Sequence, residues 1–327
     1  MTEQEKRKSR AGDAARMEGI EMTDLNFKPV EAEDMKVLAP YFGLRPNKTC
    51  DSVPLDSFIW RKYYHVQYAI HENKALLWLM KEEGVMHSAM PLCKEEDLKK
   101  YFDMTVEYFN QVLHIPLKIY LADEEAVEYL HLKESDDFVV TEQEDLKDYL
   151  YDGEAMRKLS GKKLHKKKNH LNAFLKEYEG RYEFRRLCCA DRDDVWRFLD
   201  RWRERKGDEV EEHLDYEVEG IHEILKQCLD LDICMSGVYI DGKLEAFTIG
   251  SYNPAENMAV IHIEKANPEI RGLYQFINQQ FLVQEFPNVT LVNREDDLGQ
   301  EGLRHAKMSY NPCGFARKYL VQQKNFN

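Results

Sequence analysis

The sequence predicts a mixed α+β fold in which two similar halves each contain a mostly antiparallel mixed sheet flanked by helices. Strand-length apolar runs are followed in each half by a longer stretch with helical periodicity. The same order of elements occurs twice, once in residues 65–130 and again in residues 234–307. At 327 residues, the chain is long enough for two domains of ordinary size.

The first half follows a polar segment at residues 1–20, which shows no clear periodicity and is interpreted as a flexible tail. Its predicted elements are strands at 65–70, 74–80 and 85–91, a helix at 95–113, a strand at 116–122 and a short helix at 124–130. The long helix is predicted from apolar side chains that recur close to every 3.6 residues, namely Leu98, Phe102, Phe109 and Val112.

The second half opens with two amphipathic helices, the first of which follows a cap-like D-R-D-D sequence. The later predicted elements are strands at 234–240, 243–252 and 258–266, a helix at 271–285, a strand at 289–293 and a short helix at 301–307. Asp241-Gly242 between the first two strands predicts a hairpin, because such turns require positive φ.

This order of elements is typical of tandem acyl-CoA N-acyltransferase (GNAT-like) domains. We therefore predict an N-terminal acyltransferase-like domain at residues 21–155 and a C-terminal acyltransferase-like domain at 156–327, with the functional site in the second.

Charge and cysteine content restrict the function further. The net charge of -14 argues against a general nucleic-acid coat protein, although a local basic groove is compatible with it. The seven cysteines are scattered without a C-x-x-C pair, which predicts a reducing, cytoplasmic setting without a disulfide framework or metal site. Cys188 and Cys189 are interpreted as a buried thiol pair. No signal-peptide core and no run of roughly 20 apolar residues occurs, so we expect no transmembrane segment.

Four segments carry a family resemblance. They are S-F-I-W-R-K-Y-Y at 57–64, G-K-K-L-H-K-K-K-N-H-L-N-A-F at 161–174, E-K-A-N-P-E-I-R-G-L-Y-Q-F-I-N-Q-Q-F at 264–281 and N-R-E-D-D-L-G-Q-E-G-L-R-H-A-K-M-S-Y-N-P at 293–312. Together they resemble uncharacterised bacterial proteins similar to the C-terminal catalytic domain of phosphatidylglycerol lysyltransferases. The resemblance implies transfer of an aminoacyl group from aminoacyl-tRNA to an amine or hydroxyl on a small molecule, peptide or lipid head group. Nothing here corresponds to the membrane-embedded region of the lipid-modifying enzymes, which weakens the expectation of a lipid acceptor.

The turn that binds coenzyme A in N-acetyltransferases is incomplete in this sequence, and this bears on the identity of the acyl donor. N-acetyltransferases hold the pyrophosphate in a glycine-rich turn at a helix N-terminus. The corresponding place here, Arg271-Gly272, has a single glycine and a bulky neighbour. We therefore expect no cofactor, with an acyl-CoA-dependent N-acyltransferase as the alternative. A non-catalytic binding protein that retains the fold is a third hypothesis.

A basic segment is the candidate anion or tRNA site. Residues 155–176 contain eight Lys or Arg and no acid, in a chain that is otherwise acidic. Lys163, Lys166 and Lys167 are expected to point outward and contact phosphates. The alternative is a solvated helix face or a linker between domains.

Polar residues of the second half are the candidate catalytic groups. His262 and Glu264 share one face of a strand, and the resemblance makes Glu264 a candidate general base. The alternatives for Glu264 are a structural hydrogen bond with His262 or an ion pair with Lys265 or Arg271.

The 293–312 segment supplies the other candidates. Asp296 is a candidate to accept a proton, and Lys307 a candidate to stabilise a carbonyl oxygen as it gains charge. The substrate-binding candidates are Glu295, Asp297, Arg304, Tyr310, Arg271 and Gly272. Alternatively, Asp297 is only the N-cap of the following helix and Lys307 pairs with it.

Overall fold

The structure is a computed structural model that describes residues 25–206 and 212–324, so the tail predicted at 1–20 lies outside the described residues. Fourteen strands occur in these residues. They are β1 (Lys28–Pro29), β2 (Gln67–His71), β3 (Ala75–Glu82), β4 (Val85–His87), β5 (Lys118–Asp123), β6 (Phe138–Glu142), β7 (Asp148–Asp152), β8 (Tyr182–Arg186), β9 (Cys234–Ile240), β10 (Lys243–Asn253), β11 (Met258–Ala266), β12 (Leu291–Asn293), β13 (Gly314–Ala316) and β14 (Lys318–Gln323).

Ten α-helices accompany these strands in the same residues. They are α1 (Met35–Phe42), α2 (Pro54–Ile59), α3 (Leu98–Glu107), α4 (Glu124–Tyr129), α5 (Gly153–Lys158), α6 (His165–Glu177), α7 (Arg192–Lys206), α8 (Glu212–Gln227), α9 (Leu273–Glu285) and α10 (Glu301–Met308). None of the helices in the described part of the chain is long and apolar enough to cross a membrane.

A seven-stranded sheet forms the centre of the second half, in the order β13-β7-β12-β11-β10-β9-β8. Every neighbouring pair is antiparallel except β11 and β12. The predicted hairpin turn joins β9 to β10, with positive φ at both Asp241 and Gly242. One apolar cluster packs α7 and α8 against this sheet, and a second packs α6 and α9 against it.

Two smaller sheets build the first half, in the orders β1-β2-β3-β4 and β5-β14-β6. A parallel bridge between Ser88 and Ile119 connects them. Apolar side chains of α3 and α4 pack against these strands in a third cluster. The mixed α+β architecture, with antiparallel sheets flanked by helices, confirms the predicted fold class.

Two strands pair across the predicted halves. β7 joins the seven-stranded sheet between β12 and β13, and β14, near the end of the described chain, pairs with β5 and β6. The division at residues 155 and 156 stays a prediction, and strand pairing crosses it at both places. This exchange brings residues from distant parts of the sequence to the boundary between the halves.

The cysteine prediction is wrong for one pair. Cys189 and Cys228 form a disulfide with their Cα atoms 6.0 Å apart, and Cys188 is an exposed free thiol. The two adjacent cysteines are therefore not a buried thiol pair. The disulfide links the segment before α7 to the end of α8, and neither sulfur lies in the cavity described below.

Candidate functional site

A cavity of about 960 Å³ lies between the two halves, with side chains from both in its wall. One end is rich in charged groups, which come from the segment after β12, from α10, from β14 and from the segment around α2. The charged residues at this end are Asp51, Asp56, Glu295, Asp296, Lys307 and Lys318. Five of the predicted site residues line the cavity, namely Glu264, Glu295, Asp296, Lys307 and Tyr310, and Lys167 of the basic segment joins them.

A buried ion pair between Lys318 and Asp148 anchors the charged end. Lys318 Nζ lies 2.8 Å from the Asp148 carboxylate, and neither side chain is more than 1% exposed. The other Asp148 oxygen accepts hydrogen bonds from the Cys50 backbone N–H and the Asn293 side-chain amide, at 2.5 and 3.0 Å. Burial alone lowers the pKa of Lys318, but Asp148 and the neighbouring Cys50 and Asp51 outweigh it and raise the pKa well above its ordinary value. The lysine is therefore charged.

Sequence reasoning missed this pair. Asp148 begins β7 and Lys318 begins β14, so the strand exchange brings them together across 170 positions of sequence. The only sequence signal was a charged residue at the start of each strand, which is common at strand ends. Asp51 and Asp56 were missed for a similar reason, because Asp51 precedes the short helix α2 and Asp56 lies in its first turn, in a segment with no motif of its own.

Glu295 takes part in a short hydrogen-bond chain with His262 and Ser251. His262 Nδ1 is 2.9 Å from Glu295 Oε1, and Nε2 is 2.6 Å from Ser251 Oγ. Burial lowers the pKa of His262 to about 3, so the ring is neutral at neutral pH. We infer that Nδ1 donates to Glu295 and that Nε2 accepts from the serine hydroxyl. Burial also raises the pKa of Glu295 well above its ordinary value.

Glu264 is fully engaged by neighbouring side chains. Its two carboxylate oxygens accept hydrogen bonds from Arg294 at 2.9 Å and from Asn278 at 2.7 Å. The Arg294 guanidinium in turn lies 4.8 Å from the centre of the Tyr310 ring. The structural alternatives for Glu264 named His262, Lys265 and Arg271 as partners, and none of these is the observed one. Because both oxygens are occupied, the geometry favours an anchoring role over that of a general base.

Asp296 and Lys307 lie next to each other at the cavity wall. Lys307 Nζ donates to the backbone carbonyl of Arg294 at 2.5 Å and to that of Asp296. The Asp296 carboxylate accepts a hydrogen bond from the Leu298 N–H at 3.1 Å, and no cation lies within 4 Å of it among the described residues. Burial raises the pKa of Asp296 to about 6, so this carboxyl titrates near neutral pH. Burial also lowers the pKa of Lys307, against the opposing effect of Glu295 and Asp296.

Asp297 and Arg304 lie outside the cavity wall. The Asp297 carboxylate accepts hydrogen bonds from Arg304 at 2.7 and 2.9 Å, from the Gly299 N–H and from the Tyr149 hydroxyl. Arg304 and these other donors lower the pKa of Asp297 to about 2. The alternative that Asp297 caps α10 and pairs with Lys307 is wrong, because Gln300 is the residue at the cap and Asp297 pairs with Arg304. The pair fixes the loop that carries Glu295 and Asp296.

The basic residues differ in position. Lys163 and Lys166 are exposed at the start of α6, whereas Lys167 is half-buried, with Nζ 4.2 Å from the centre of the Tyr310 ring at the cavity wall. The basic segment therefore extends from the exposed Lys163 and Lys166 at the surface to Lys167 at the cavity wall.

Arg271 and Gly272 lie at the start of α9, away from the cavity wall. Gly272 has φ of +84°, and a Cβ there would lie 2.1 Å from the backbone oxygen of His170 in α6. Glycine is required by this close approach. A carbonyl oxygen of α6 therefore packs against the Cα of Gly272, in the turn that corresponds to the pyrophosphate-binding turn of N-acetyltransferases.

One group of side chains among the described residues has donor atoms close enough to hold a metal ion. The ligand atoms of Cys50, Asp56 and Glu295 lie within 4.8 Å of one another. Lys318 Nζ is 3.1 Å from the Cys50 sulfur, so an ammonium group already occupies the thiol side of this group. The expectation that the site holds no metal stays a prediction.

Comparisons with known proteins connect this geometry to a family. An uncharacterised protein of Mycoplasmoides gallisepticum is 24% identical over 286 residues, which cover 82% of this chain and 90% of that protein. A crystal structure of a conserved protein of unknown function from Bacteroides thetaiotaomicron is 26% identical, with a TM-score of 0.83 over 92% of this chain and 100% of that one. The structure of L-PGS from Bacillus licheniformis has the same fold at 14% identity, with a TM-score of 0.64 over 92% of this chain and 95% of that one. The family model described as "Phosphatidylglycerol lysyltransferase, C-terminal" matches residues 51–322, so the chain belongs to this family.

Proposed function

We propose that this protein transfers an aminoacyl group from aminoacyl-tRNA to an amine or hydroxyl acceptor. The observation that carries the proposal is the charged end of the cavity, where Asp296 and Lys307 both line the wall. The Asp296 carboxyl has no cation within 4 Å among the described residues, and the Lys307 ammonium group is held by the Asp296 backbone carbonyl. A proton acceptor next to a cationic hydrogen-bond donor is what attack on an ester carbonyl requires. Membership of a lysyltransferase family supports the same reaction class.

Asp296 is the general base in this proposal. A pKa of about 6 leaves its carboxylate ionised at neutral pH, yet basic enough to accept a proton from an attacking nucleophile. The acceptor nitrogen or oxygen loses its proton to Asp296 and forms a bond to the ester carbonyl carbon. When the tetrahedral intermediate collapses, the bond to the ribose oxygen breaks and Asp296 returns the proton to that oxygen.

Lys307 stabilises the carbonyl oxygen as it gains negative charge. An ammonium group has three N–H donors, and two of them are held by the Arg294 and Asp296 carbonyls. The two fixed hydrogen bonds hold Nζ in place, and the third donor is available to the substrate at the cavity wall. A pre-positioned donor of this kind needs little reorganisation during the reaction.

The basic segment guides the tRNA in this proposal. Lys163 and Lys166 are exposed for phosphate contacts, and Lys167 lies where the segment meets the cavity. The 3′ end of the tRNA would enter past Lys167 and Tyr310 and reach Asp296 and Lys307. Since aminoacyl-tRNA is a cytoplasmic metabolite, we place the reaction in the cytoplasm.

The start of α9 favours this donor over acyl-CoA. The His170 carbonyl oxygen covers the Gly272 turn, and a carbonyl dipole repels a pyrophosphate.

Transfer of a labelled amino acid tests the proposal directly. Purified protein is mixed with tRNA carrying radiolabelled lysine, and with a mixture of other aminoacyl-tRNAs, in the presence of a small-molecule extract as the source of acceptor. We expect label to leave the tRNA and appear in an alkali-resistant or ester-linked product with the wild type, and much more slowly with Asp296→Asn. Equal rates for the two proteins, or no product from any aminoacyl-tRNA, would contradict the proposal.

A further inference from the structure

The cavity has a second end, in the first half, whose chemistry differs from that of the charged end. Tyr64, Trp78, His87 and Tyr120 line it, and we refer to these four residues as the aromatic compartment. The His87 ring lies edge-on to Tyr120 and Tyr64, with ring centres 4.8 and 6.1 Å apart. Because the compartment and the charged end belong to one continuous cavity, one bound molecule can reach both.

His87 is a buried polar group without partners. His87 is buried, at 2% exposure, and neither ring nitrogen has a hydrogen-bond partner of normal geometry among the described residues. Burial lowers the pKa of His87 to about 4, so the ring is neutral and offers one N–H donor and one lone pair. Leaving a buried polar group unpaired is unfavourable, because the group has lost its hydrogen bonds to water. A ligand group that supplies the missing hydrogen bond would recover this energy.

The charges around the cavity favour a cationic ligand over an anionic one. Of the six Lys and Arg side chains in its wall, four form ion pairs with acids: Arg45, Lys265, Arg294 and Lys318. Lys307 donates to backbone carbonyls and Lys167 lies against Tyr310 in the other half. In contrast, no cation lies within 4 Å of the Glu82 carboxylate in the part of the chain that the structure describes, and this residue lines the cavity. Burial, with Asp51 and Glu295 nearby, raises the pKa of the Asp56 carboxyl well above its ordinary value, and a bound cation would oppose this shift. Lys118, outside the wall, lies 5.4 Å from the Tyr120 ring centre.

We infer that the aromatic compartment is the acceptor subsite, and that it takes a primary amine whose ring-bearing body ends in a hydrogen-bonding group. The body packs between Tyr64, Trp78 and Tyr120, the terminal group bonds to His87, and the ammonium end extends toward the acids of the charged end. One carboxylate there takes a proton to leave the free amine, and the second proton passes through Asp296 to the ribose oxygen as the amide bond forms and the ester bond breaks. A phosphodiester finds no uncommitted Lys or Arg among the described residues that line this compartment, because Lys118 lies outside the wall, with Nζ 3.4 Å from the Tyr120 hydroxyl. The inference rests on the proposed function, because it assigns the acceptor of that reaction.

Calorimetric titration of the full chain without tRNA tests the assignment. Tyramine is the probe, since it has an amine, a ring and a terminal hydroxyl. We expect tyramine to bind at least tenfold more tightly than 3-(4-hydroxyphenyl)propionate, which replaces the amine by a carboxylate. Phenethylamine, which lacks the hydroxyl, should bind up to about tenfold more weakly than tyramine, the range of one hydrogen bond.

Variants locate the binding. His87→Phe should also weaken the binding of tyramine by up to about tenfold, and it should leave the binding of phenethylamine nearly unchanged. His71→Phe is the matched control, because His71 also has an unpartnered Nδ1 and an aromatic neighbour, Tyr101, but lies outside the cavity wall. If His87→Phe does not fold, the three probes with the wild type carry the test alone.

Three results would overturn the assignment. They are equal binding of the amine and the carboxylate, tyramine binding that is unaffected by His87→Phe, and preferential binding of glycerophosphoglycerol, the water-soluble phosphodiester head group. Since the titration involves no transfer, an inactive protein that still binds tyramine in this pattern would contradict the proposed function and support the subsite.

Discussion

Replacing Lys307 by methionine should separate the catalytic hypothesis from a purely structural role. Methionine keeps the length and apolar stem of lysine but removes all three N–H donors. Loss of a donor to the developing oxyanion typically slows turnover by about 100- to 1,000-fold, equivalent to about 2.7–4 kcal/mol of transition-state stabilisation. We expect a decrease in turnover within this range.

The same change also has a cost in stability that can be calculated from the contacts. Two buried carbonyls, those of Arg294 and Asp296, lose their donor. At about 1 kcal/mol per hydrogen bond, we expect the free energy of unfolding to fall by about 2 kcal/mol. Most molecules should therefore remain folded at 25 °C, since domains usually have 5–15 kcal/mol of stability.

Single-turnover transfer from labelled aminoacyl-tRNA, measured with enzyme in excess, gives the chemical rate. Urea unfolding of the same samples gives the stability. Lys133→Met is the matched control, because Lys133 lies outside the cavity wall and, among the described residues, its Nζ contacts only the Tyr319 hydroxyl and ring. Transfer by folded Lys307→Met at close to the wild-type rate, whatever its stability, would refute the catalytic role of Lys307.

Three further predictions concern neighbouring groups. The single-turnover rate should rise with pH through about 6 and level off above 7, because Asp296 acts as the carboxylate. This rise should be absent in Asp296→Asn. A wild-type rate that falls across the same pH range would refute the assignment of Asp296 as the general base. Asp297→Ala should lower the free energy of unfolding by about 2 kcal/mol at pH 7, because the pKa of Asp297 is depressed to about 2. This contribution is present above pH 4 and lost as the pH falls toward 2, so urea titrations of wild type and variant should converge in acid; a constant difference would point to another cause. Lys163→Glu with Lys166→Glu should weaken tRNA binding and reduce the slope of log affinity against log salt by about 2, with little change in melting temperature, whereas unchanged binding would leave a solvated helix face.

Local patterns in the sequence predict much of the second half. The strands at 234–240 and 258–266 match β9 and β11 at both ends, and the helix predicted at 271–285 begins two residues late at Leu273. These elements have clear periodicity and strong turn signals, which fix local structure. The segment after β12 also delivers Glu295 and Asp296 to a cavity, as its position at a strand end suggests.

The pairing of strands that are far apart in the sequence could not be predicted. β7, from the predicted first half, joins the seven-stranded sheet, and β14, from the predicted second half, pairs with β5 and β6. No local pattern in the sequence indicates which sheet a short strand joins. The Lys318–Asp148 pair depends on that exchange, and so does the position of Lys318 beside Cys50. The aromatic compartment was missed because Trp78 and His87 lie in strands where apolar and aromatic residues are expected anyway. Only the three-dimensional structure shows that His87 is buried without a partner.

The identity of the donor is the central claim, and side-by-side binding tests it most directly. Affinities for a non-hydrolysable aminoacyl-tRNA analogue and for acetyl-CoA are measured on the same protein at 50 and 200 mM salt. We expect the tRNA analogue to bind and to weaken steeply as salt rises, because phosphate contacts release counterions, and acetyl-CoA to bind poorly at both concentrations. Tight, salt-insensitive binding of acetyl-CoA together with weak binding of the tRNA analogue would contradict the account.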